Sequence, residues 1–265
     1  MRAGVWEFFV FGLKEARACI FAGSFFVLLL LSKHLPLFGL ARYDFLCLAA
    51  LALQVVLLLT GIESRDEALT LGAFHIIGLA LEIFKTQPAI GSWSYPEAGY
   101  LKVAGVPLYS GFMYAAVASY MCQAWRLLRF DLVGYPSYWL SVPLSVAIYL
   151  NFFTHHFFID LRWLLLAGVL LVFRRSWLRF TVIEQERSLP LVLTFFLVGF
   201  FIWVAENIST YFGAWVYPEQ RAGWQIVSFG KISSWTLLVI ISGMIVADLK
   251  QFREKKSTRS PSVHG

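Results

Sequence analysis

Residues 82–97 have the sequence EIFKTQPAIGSWSYPE, and residues 206–219 repeat its pattern as ENISTYFGAWVYPE. Both segments begin with Glu and Thr four residues apart, a spacing that places two side chains on one helical face. Both end in Gly-x-Trp-x-Tyr-Pro-Glu, which we call the GWYP motif. Trp and Tyr are uncommon residues, so their recurrence at matched positions indicates an internal duplication.

The composition around the two motifs is that of a membrane protein. Of the 265 residues, 59% are hydrophobic and 14% are charged, and the mean hydropathy is +0.69. A soluble domain carries about 25% charged residues. The apolar runs are continuous rather than alternating, which excludes an outer-membrane barrel and predicts no strands. We therefore predict an all-α fold, a polytopic membrane helix bundle.

Eight apolar segments have about the length that crosses a bilayer. They lie at about 17–32, 44–61, 67–85, 106–125, 137–153, 160–173, 189–209 and 229–248, and the fifth and sixth could instead form one tilted or re-entrant hairpin. With eight spans, Lys and Arg number 15 on one side and 7 on the other. This bias predicts a multi-pass protein of the bacterial cytoplasmic membrane with both termini cytoplasmic and both GWYP motifs outside.

An even number of spans in each half gives the halves the same orientation. We therefore predict two parallel four-helix repeats, at residues 1–133 and 134–249, followed by a disordered basic cytoplasmic tail at 250–265. The pseudo-twofold axis of a parallel repeat lies along the membrane normal. Such an axis would bring the outer ends of the third and seventh spans together, with Glu82 facing Glu206.

Glu82 and Glu206 are the predicted catalytic residues. Each follows a long apolar run, and a carboxylate in lipid usually faces the bundle interior or a wet cavity. Two neighbouring carboxylates would provide a proton donor beside a base. The alternative is that both are interfacial residues that reach water or bond to their own loops.

The predicted substrate-binding residues lie in and around the two motifs. Trp and Tyr two residues apart share one side of an extended segment, and aromatic faces suit an extended apolar ligand or a cation. Alternatively, the loops form a structural plug or an aromatic belt. The set also includes a midspan histidine and the motif threonines, so that it comprises His75, Thr86, Trp93, Tyr95, Thr210, Trp215 and Tyr217.

Other polar residues are given structural roles. Lys85 is interpreted as an interface anchor, although together with Thr86 it could instead bind a polar headgroup. His155, His156 and Asp160 lack the i, i+4 histidine spacing of a metal site, and no metal or cofactor is expected. The chain has no Gly-rich phosphate loop, HExxH or GxSxG, and no nucleic-acid partner is expected.

The whole chain resembles the bacterial YoaT-type integral membrane family of unknown function. The resemblance rests on EIFKTQPAIGSWSYPEAGYLKVAGVPLYSGF and ENISTYFGAWVYP. A shorter part, Glu82, Gly91-x-x-x-Tyr95 and Gly105-Val106-Pro107, is similar to carotenoid-biosynthesis membrane proteins, which include carotenoid hydratases. Trp93 and Ile90 stand where that second family has Tyr and Phe.

Three functions agree with these observations. The first is an enzyme that hydrates or cyclises an isoprenoid-like polyene in the membrane lipid, with the two glutamates as acid and base. The second is a proton-coupled transporter of a small or amphipathic solute. The third is a non-catalytic membrane protein whose outer loops bind a partner.

Overall fold

A computed structural model describes residues 2–258, with side chains from 4 to 246. It contains nine α-helices within this range: α1 (Arg2–Ala18), α2 (Ile20–His34), α3 (Arg42–Leu59), α4 (Arg65–Thr86), α5 (Ser110–Leu128), α6 (Tyr138–Thr154), α7 (Arg162–Phe173), α8 (Leu191–Tyr211) and α9 (Gly230–Thr258). Each of the eight predicted apolar segments overlaps one of α2–α9. The prediction of a mostly helical chain is confirmed.

In the described part of the chain, three helices, α3, α4 and α8, are long and apolar enough to cross a membrane. A fourth candidate is the pair α1–α2. Together these two helices are long and apolar enough to cross, but they are bent by 64° at the break between them. The apolar helices α6, α7 and Gly230–Val246 of α9 are shorter. Eight crossings and the two repeats therefore remain predictions. Helix α9 extends into the predicted tail, and residues 259–265 lie outside the described range.

The prediction that the chain has no strands is wrong. A hairpin joins β1 (Lys102–Val103) to β2 (Val106–Pro107), and a three-stranded antiparallel sheet contains β3 (Asp131–Val133), β4 (Trp177–Thr181) and β5 (Glu186–Pro190). In β4, the buried Leu178 and Phe180 alternate with more exposed neighbours. A period of two marks a half-buried strand, and a search for continuous apolar runs overlooks it.

Local sequence sets the ends of helix α4. Ser64 and Glu67 form a capping box, in which the Ser64 side chain accepts from the Glu67 N–H and the Glu67 side chain accepts from the Ser64 N–H. This box satisfies two backbone donors at the start of the helix. The helix ends at Thr86, two residues before Pro88, whose ring disfavours a helical residue in front of it.

The sheet and the GWYP motifs lie at opposite ends of the bundle. Helix α8 begins directly after β5 and ends two residues before Gly213 of the second motif, while α5 begins shortly after the first motif and leads into β3. The main aromatic core lies at the motif end and includes Tyr43, Tyr95, Tyr109, Trp203, Trp215 and Tyr217. This packing positions the candidate site.

Candidate functional site

Glu82 and Glu206 occupy the last turns of α4 and α8 and are both buried, with 3% and 2% of their surfaces exposed. The threonine four residues later has the same role in both segments. Thr86 Oγ1 donates to the carbonyl of Glu82 at 2.8 Å, and Thr210 Oγ1 donates to that of Glu206 at 3.0 Å. In both segments the threonine hydroxyl thus bonds back to the carbonyl four residues earlier, on the helix that carries the glutamate.

The first motif folds back over the end of α4 and donates hydrogen bonds to Glu82. Gly91 has a φ of +57°, and its counterpart Gly213 has +67°, a region that favours glycine. After this turn, Trp93 Nε1 lies 2.6 Å and Tyr95 Oη 2.7 Å from Oε2 of Glu82. The motif spacing thus lets one loop cover the carboxylate of the helix before it.

Each carboxylate also accepts a hydrogen bond from a neighbouring helix. Tyr114 Oη of α5 donates to Oε1 of Glu82 at 2.8 Å. Trp235 Nε1 of α9 donates to Oε2 of Glu206 at 2.7 Å, and Tyr217 of the second motif donates to Oε1. The two glutamates therefore both have phenol and indole donors, but from different positions.

The two motif loops pair with each other through equivalent residues. Ser94 and Val216, each between the Trp and the Tyr of its motif, exchange both backbone hydrogen bonds, at 2.9 and 3.0 Å. The ring of Trp93 also meets that of Tyr217 edge to face, with centroids 6.0 Å apart. Antiparallel pairing of equivalent residues is the geometry that a local twofold axis between the loops would produce.

Arg42, at the start of α3, binds both loops at once. Its guanidinium donates to Glu97 Oε1 at 2.6 Å, to the carbonyl of Phe212 at 2.6 Å and to that of Gly213 at 3.1 Å. Its Nε donates to Ser32 Oγ at 2.8 Å. A planar guanidinium can hold several acceptors in a fixed arrangement.

A cavity of about 1000 Å³ is lined by both glutamates. Its wall is mostly apolar and includes Trp93, Trp215 and Tyr217 of the motifs. The wall also contains Tyr114 and Leu128 of α5, so the cavity extends about 21 Å along that helix at 1.5 Å per residue. Both carboxylates thus border one long apolar space.

The motif phenols lie outside the helices, and their titration is shifted by their surroundings. Burial raises the pKa of Tyr95 well above its ordinary value, and the nearby Glu82 adds to this effect. The pKa of Tyr217 is raised in the same way by burial and by Glu206. Both hydroxyls therefore stay protonated and act as hydrogen-bond donors to the carboxyl groups.

Comparison with known proteins gives the family. The family model described as a protein of unknown function, DUF817, matches residues 7–243. The chain belongs to the DUF817 family. It is similar to the uncharacterized protein YoaT of Bacillus subtilis (strain 168), with 52% identity over 250 residues, which are 94% of each chain. The resemblance to the YoaT-type family is thus confirmed. No solved structure matches.

In this DUF817 protein, five of the nine predicted site residues line the cavity: Glu82, Glu206, Trp93, Trp215 and Tyr217. Tyr95 contacts Glu82 from the aromatic core behind it, and neither threonine is among the lining residues. His75 lies against Gly111 and the ring of Phe112, at 4.5 Å between centroids, and also lies outside the lining. These four residues have structural contacts instead.

The interpretation of Lys85 as an interface anchor is wrong. The residue is only 2% exposed, and its Nζ lies 2.6 Å from the carbonyl of Phe152 and 2.9 Å from His156 Nε2. A side chain at the last turn of an apolar helix usually extends to water. Here α6 and the residues after it cover that position.

Sequence reasoning missed Tyr114, Trp235, Lys231 and Arg42. The ammonium of Lys231 lies 4.5 Å from the ring centroid of Tyr217 and 5.7 Å from that of Trp93. Tyr114 and Trp235 each fall in the first two turns of the helix after a motif, which was the available signal. Within the described residues, no group of three or more His, Cys, Asp or Glu side chains could hold a metal ion.

Proposed function

We propose that this protein binds an elongated isoprenoid-like lipid in its cavity and exchanges protons with it through Glu206 and Glu82. The observation that carries the proposal is the position of two buried, hydrogen-bonded carboxyl groups on one apolar cavity. Buried ionisable groups within a membrane protein are costly and are usually functional. The similarity of the first motif region to carotenoid-biosynthesis proteins supports the same substrate class.

The proposed setting is the bacterial cytoplasmic membrane, with eight crossings in two parallel repeats. Three long apolar helices, a bent fourth pair and three shorter apolar helices support this setting. The pairing of Ser94 with Val216 supports a twofold relation between the halves. Large apolar side chains that line the cavity have much of their surface exposed, among them Phe8 at 75% and Phe201 at 65%. Through such a surface a lipid can enter from the bilayer.

The proposed reaction is the addition of water to a carbon–carbon double bond. Glu206, whose oxygens accept two hydrogen bonds, carries the proton. It transfers this proton to one carbon of the double bond, which leaves a cation on the other carbon. The oxygen of a water molecule bonds to that cation, and its surplus proton passes to Glu82, whose oxygens accept three hydrogen bonds. Return of the proton to Glu206 restores both groups, so alkene and water give an alcohol.

The indoles that line the cavity suit this chemistry. Trp93 and Trp215 provide π-faces, and an aromatic face attracts a cation in a desolvated site. In a cyclisation, a second double bond takes the place of water and a proton leaves to Glu82. Neither route requires a cofactor. Proton transfer by a positioned side chain contributes typically 10²–10⁴-fold to a rate.

The test is turnover by protein reconstituted in lipid nanodiscs. The probe is an isoprenoid extract that contains hydrocarbon polyenes and polyprenyl phosphates. Liquid chromatography with mass spectrometry detects hydrated products by the added mass of one water, and cyclised products by a changed retention time at unchanged mass. We expect Glu206→Gln and Glu82→Gln to lower the rate about 100-fold or more. Glu67→Gln is the matched control, because Glu67 is a buried carboxylate of α4 outside the cavity lining. Wild-type turnover by Glu206→Gln would refute the acid role.

One observation favours a proton-coupled transporter as the second candidate. The cavity lining also includes Glu15 of α1, whose carboxylate accepts from Tyr120 Oη at 3.0 Å. Tyr120 is six residues along α5 from Tyr114, so acidic groups lie at two depths of the same space, as a proton path requires. Flux into proteoliposomes that follows a pH gradient, without any conversion of the lipid, would select this function.

A further inference from the structure

Five basic or imidazole side chains line the cavity at its motif end. We call them the basic cluster: Lys85, His155, His156, Arg162 and Lys231. They come from α4, from the segment after α6, and from the first residues of α7 and α9. Residues far apart in the chain thus place their nitrogen atoms around one end of a mostly apolar cavity.

The two ammonium groups of the cluster can donate more hydrogen bonds than they make and lack an ion-pair partner among the described residues. Lys85 Nζ has three donors and, within the described residues, two hydrogen-bond partners, Phe152 and His156. Lys231 Nζ faces two aromatic rings, and neither lysine forms an ion pair with a described carboxylate. A buried cation without an anion is costly. An anionic ligand would offset that cost.

The acidic groups nearby are already engaged. Asp160 forms an ion pair with Arg162 at 3.0 Å and accepts from Asn151 at 3.1 Å. Glu206 accepts from Tyr217 and Trp235. Burial, followed by the charge of Lys85, lowers the pKa of His156 to about 4, so its ring is neutral and accepts from the ammonium. These acids therefore leave the two lysines of the cluster without an ion pair to a described carboxylate.

Helix α9 adds to the attraction for an anion. Its first residues, Gly230 and Lys231, line the cavity, so the amide end of a long helix opens on the basic cluster. The N–H groups of Gly230 and Lys231 already donate to Ser228, so the helix contributes the positive end of its dipole rather than free donors. Arg162 Nη1 lies 3.4 Å from the carbonyl of Gly230, which holds the guanidinium beside that helix end.

We propose that the basic cluster binds the phosphate or diphosphate headgroup of a lipid whose chain extends along α5 toward Leu128. The inference rests on the proposed function, because it names the substrate class of the same cavity. A carboxylate would carry one charge for two unpaired lysines, whereas a phosphate group carries up to two and offers several acceptors. Arg and Lys both suit phosphate, the former through its planar fork.

Binding of three probes to protein in nanodiscs tests the proposal. They are geranylgeranyl diphosphate, geranylgeraniol with the same chain and no charge, and inorganic pyrophosphate with no chain. We expect the diphosphate lipid to bind about tenfold or more tightly than the alcohol, a difference of about 1.4 kcal/mol that one hydrogen bond to a charged group can supply. Pyrophosphate alone should bind more weakly than the lipid. Equal affinities for lipid and alcohol would overturn the proposal, and pyrophosphate binding as tight as the lipid would indicate a soluble anion instead.

Variants separate this inference from the proposed reaction. Lys85→Met and Lys231→Gln should each reduce the preference for the diphosphate lipid over the alcohol. Lys231 is only half-buried, so Lys231→Gln is expected to fold and serves as the test if Lys85→Met does not fold. Lys33→Met is the matched control, because Lys33 is an exposed cation beside Gly213, outside the cavity. Glu206→Gln should keep the preference while losing turnover. A preference unchanged in both cluster variants would refute the site.

Discussion

Arg42 shows how one side chain determines the arrangement of the two motif loops. It joins Glu97 at the end of the first motif to Phe212 and Gly213 at the start of the second. Its side chain is 10% exposed, so these bonds form in a largely dry environment. In the sequence, Arg42 stands out only as one of the predicted outer charges, since a partner 170 residues away leaves no local pattern.

Replacing Arg42 by Lys keeps the charge and removes the fork that spans both loops. We expect the free energy of unfolding to fall by about 2 kcal/mol, because hydrogen bonds to charged groups contribute about 1.5–3 kcal/mol. This corresponds to a melting temperature lower by about 5 °C in detergent. Arg221→Lys, at an exposed site after the second motif, is the control. A melting temperature equal to that of the control would show that the hydrogen bonds of Arg42 do not stabilise the loops.

Helices α4 and α5 pack most closely where Tyr114 covers Gly78. A Cβ atom added to Gly78 would lie 2.4 Å from both Cγ and Cδ2 of Tyr114 and 2.7 Å from its Cβ. The contact is with the base of the side chain, which cannot swing aside. The same tyrosine donates to Glu82, so the absence of a side chain at position 78 lets α5 supply a donor to the carboxylate of α4.

We expect Gly78→Ala to destabilise the protein by about 1–3 kcal/mol through overpacking. Gly72→Ala on the same helix is the matched control, because nothing lies within 4 Å of its added Cβ. That control should be neutral or slightly stabilising, since Ala favours a helix over Gly by up to about 1 kcal/mol. Thermal unfolding of the two variants, measured side by side, decides the point. Equal stability would exclude the close packing of Tyr114 on α4.

Helix α1 escaped prediction as a separate element. Its polar residues Lys14, Glu15 and Arg17 interrupt the apolar pattern of a span. In the folded chain, Lys14 donates to the carbonyl of Leu127 at 2.8 Å, and Glu15 accepts from Tyr120. Polar residues that find partners on another helix are indistinguishable, in sequence, from residues that face water.

The whole molecule has two different ends, and the charge bias predicts which one faces outward. An impermeant maleimide applied to intact cells should label Tyr100→Cys, 92% exposed beyond the first motif. It should label Glu184→Cys, exposed between β4 and β5, only after lysis. Wild-type protein controls for the native Cys19, Cys47 and Cys122, which are buried or half-buried. Labelling of Glu184→Cys in intact cells would contradict cytoplasmic termini.

The sequence by itself determined the helical character of the chain, the repeated motif and the residue types at the site. These are local properties: long continuous apolar runs favour helices, and the Glu-to-Thr spacing reflects one helical turn. Tertiary structure alone decided that Trp235 rather than Trp215 donates to Glu206, that Lys85 is buried, and that Ser94 pairs with Val216. Such choices depend on which surfaces meet in space, and contacts between residues 29 positions apart, as for Glu206 and Trp235, or 122 apart, as for Ser94 and Val216, leave no period in the chain.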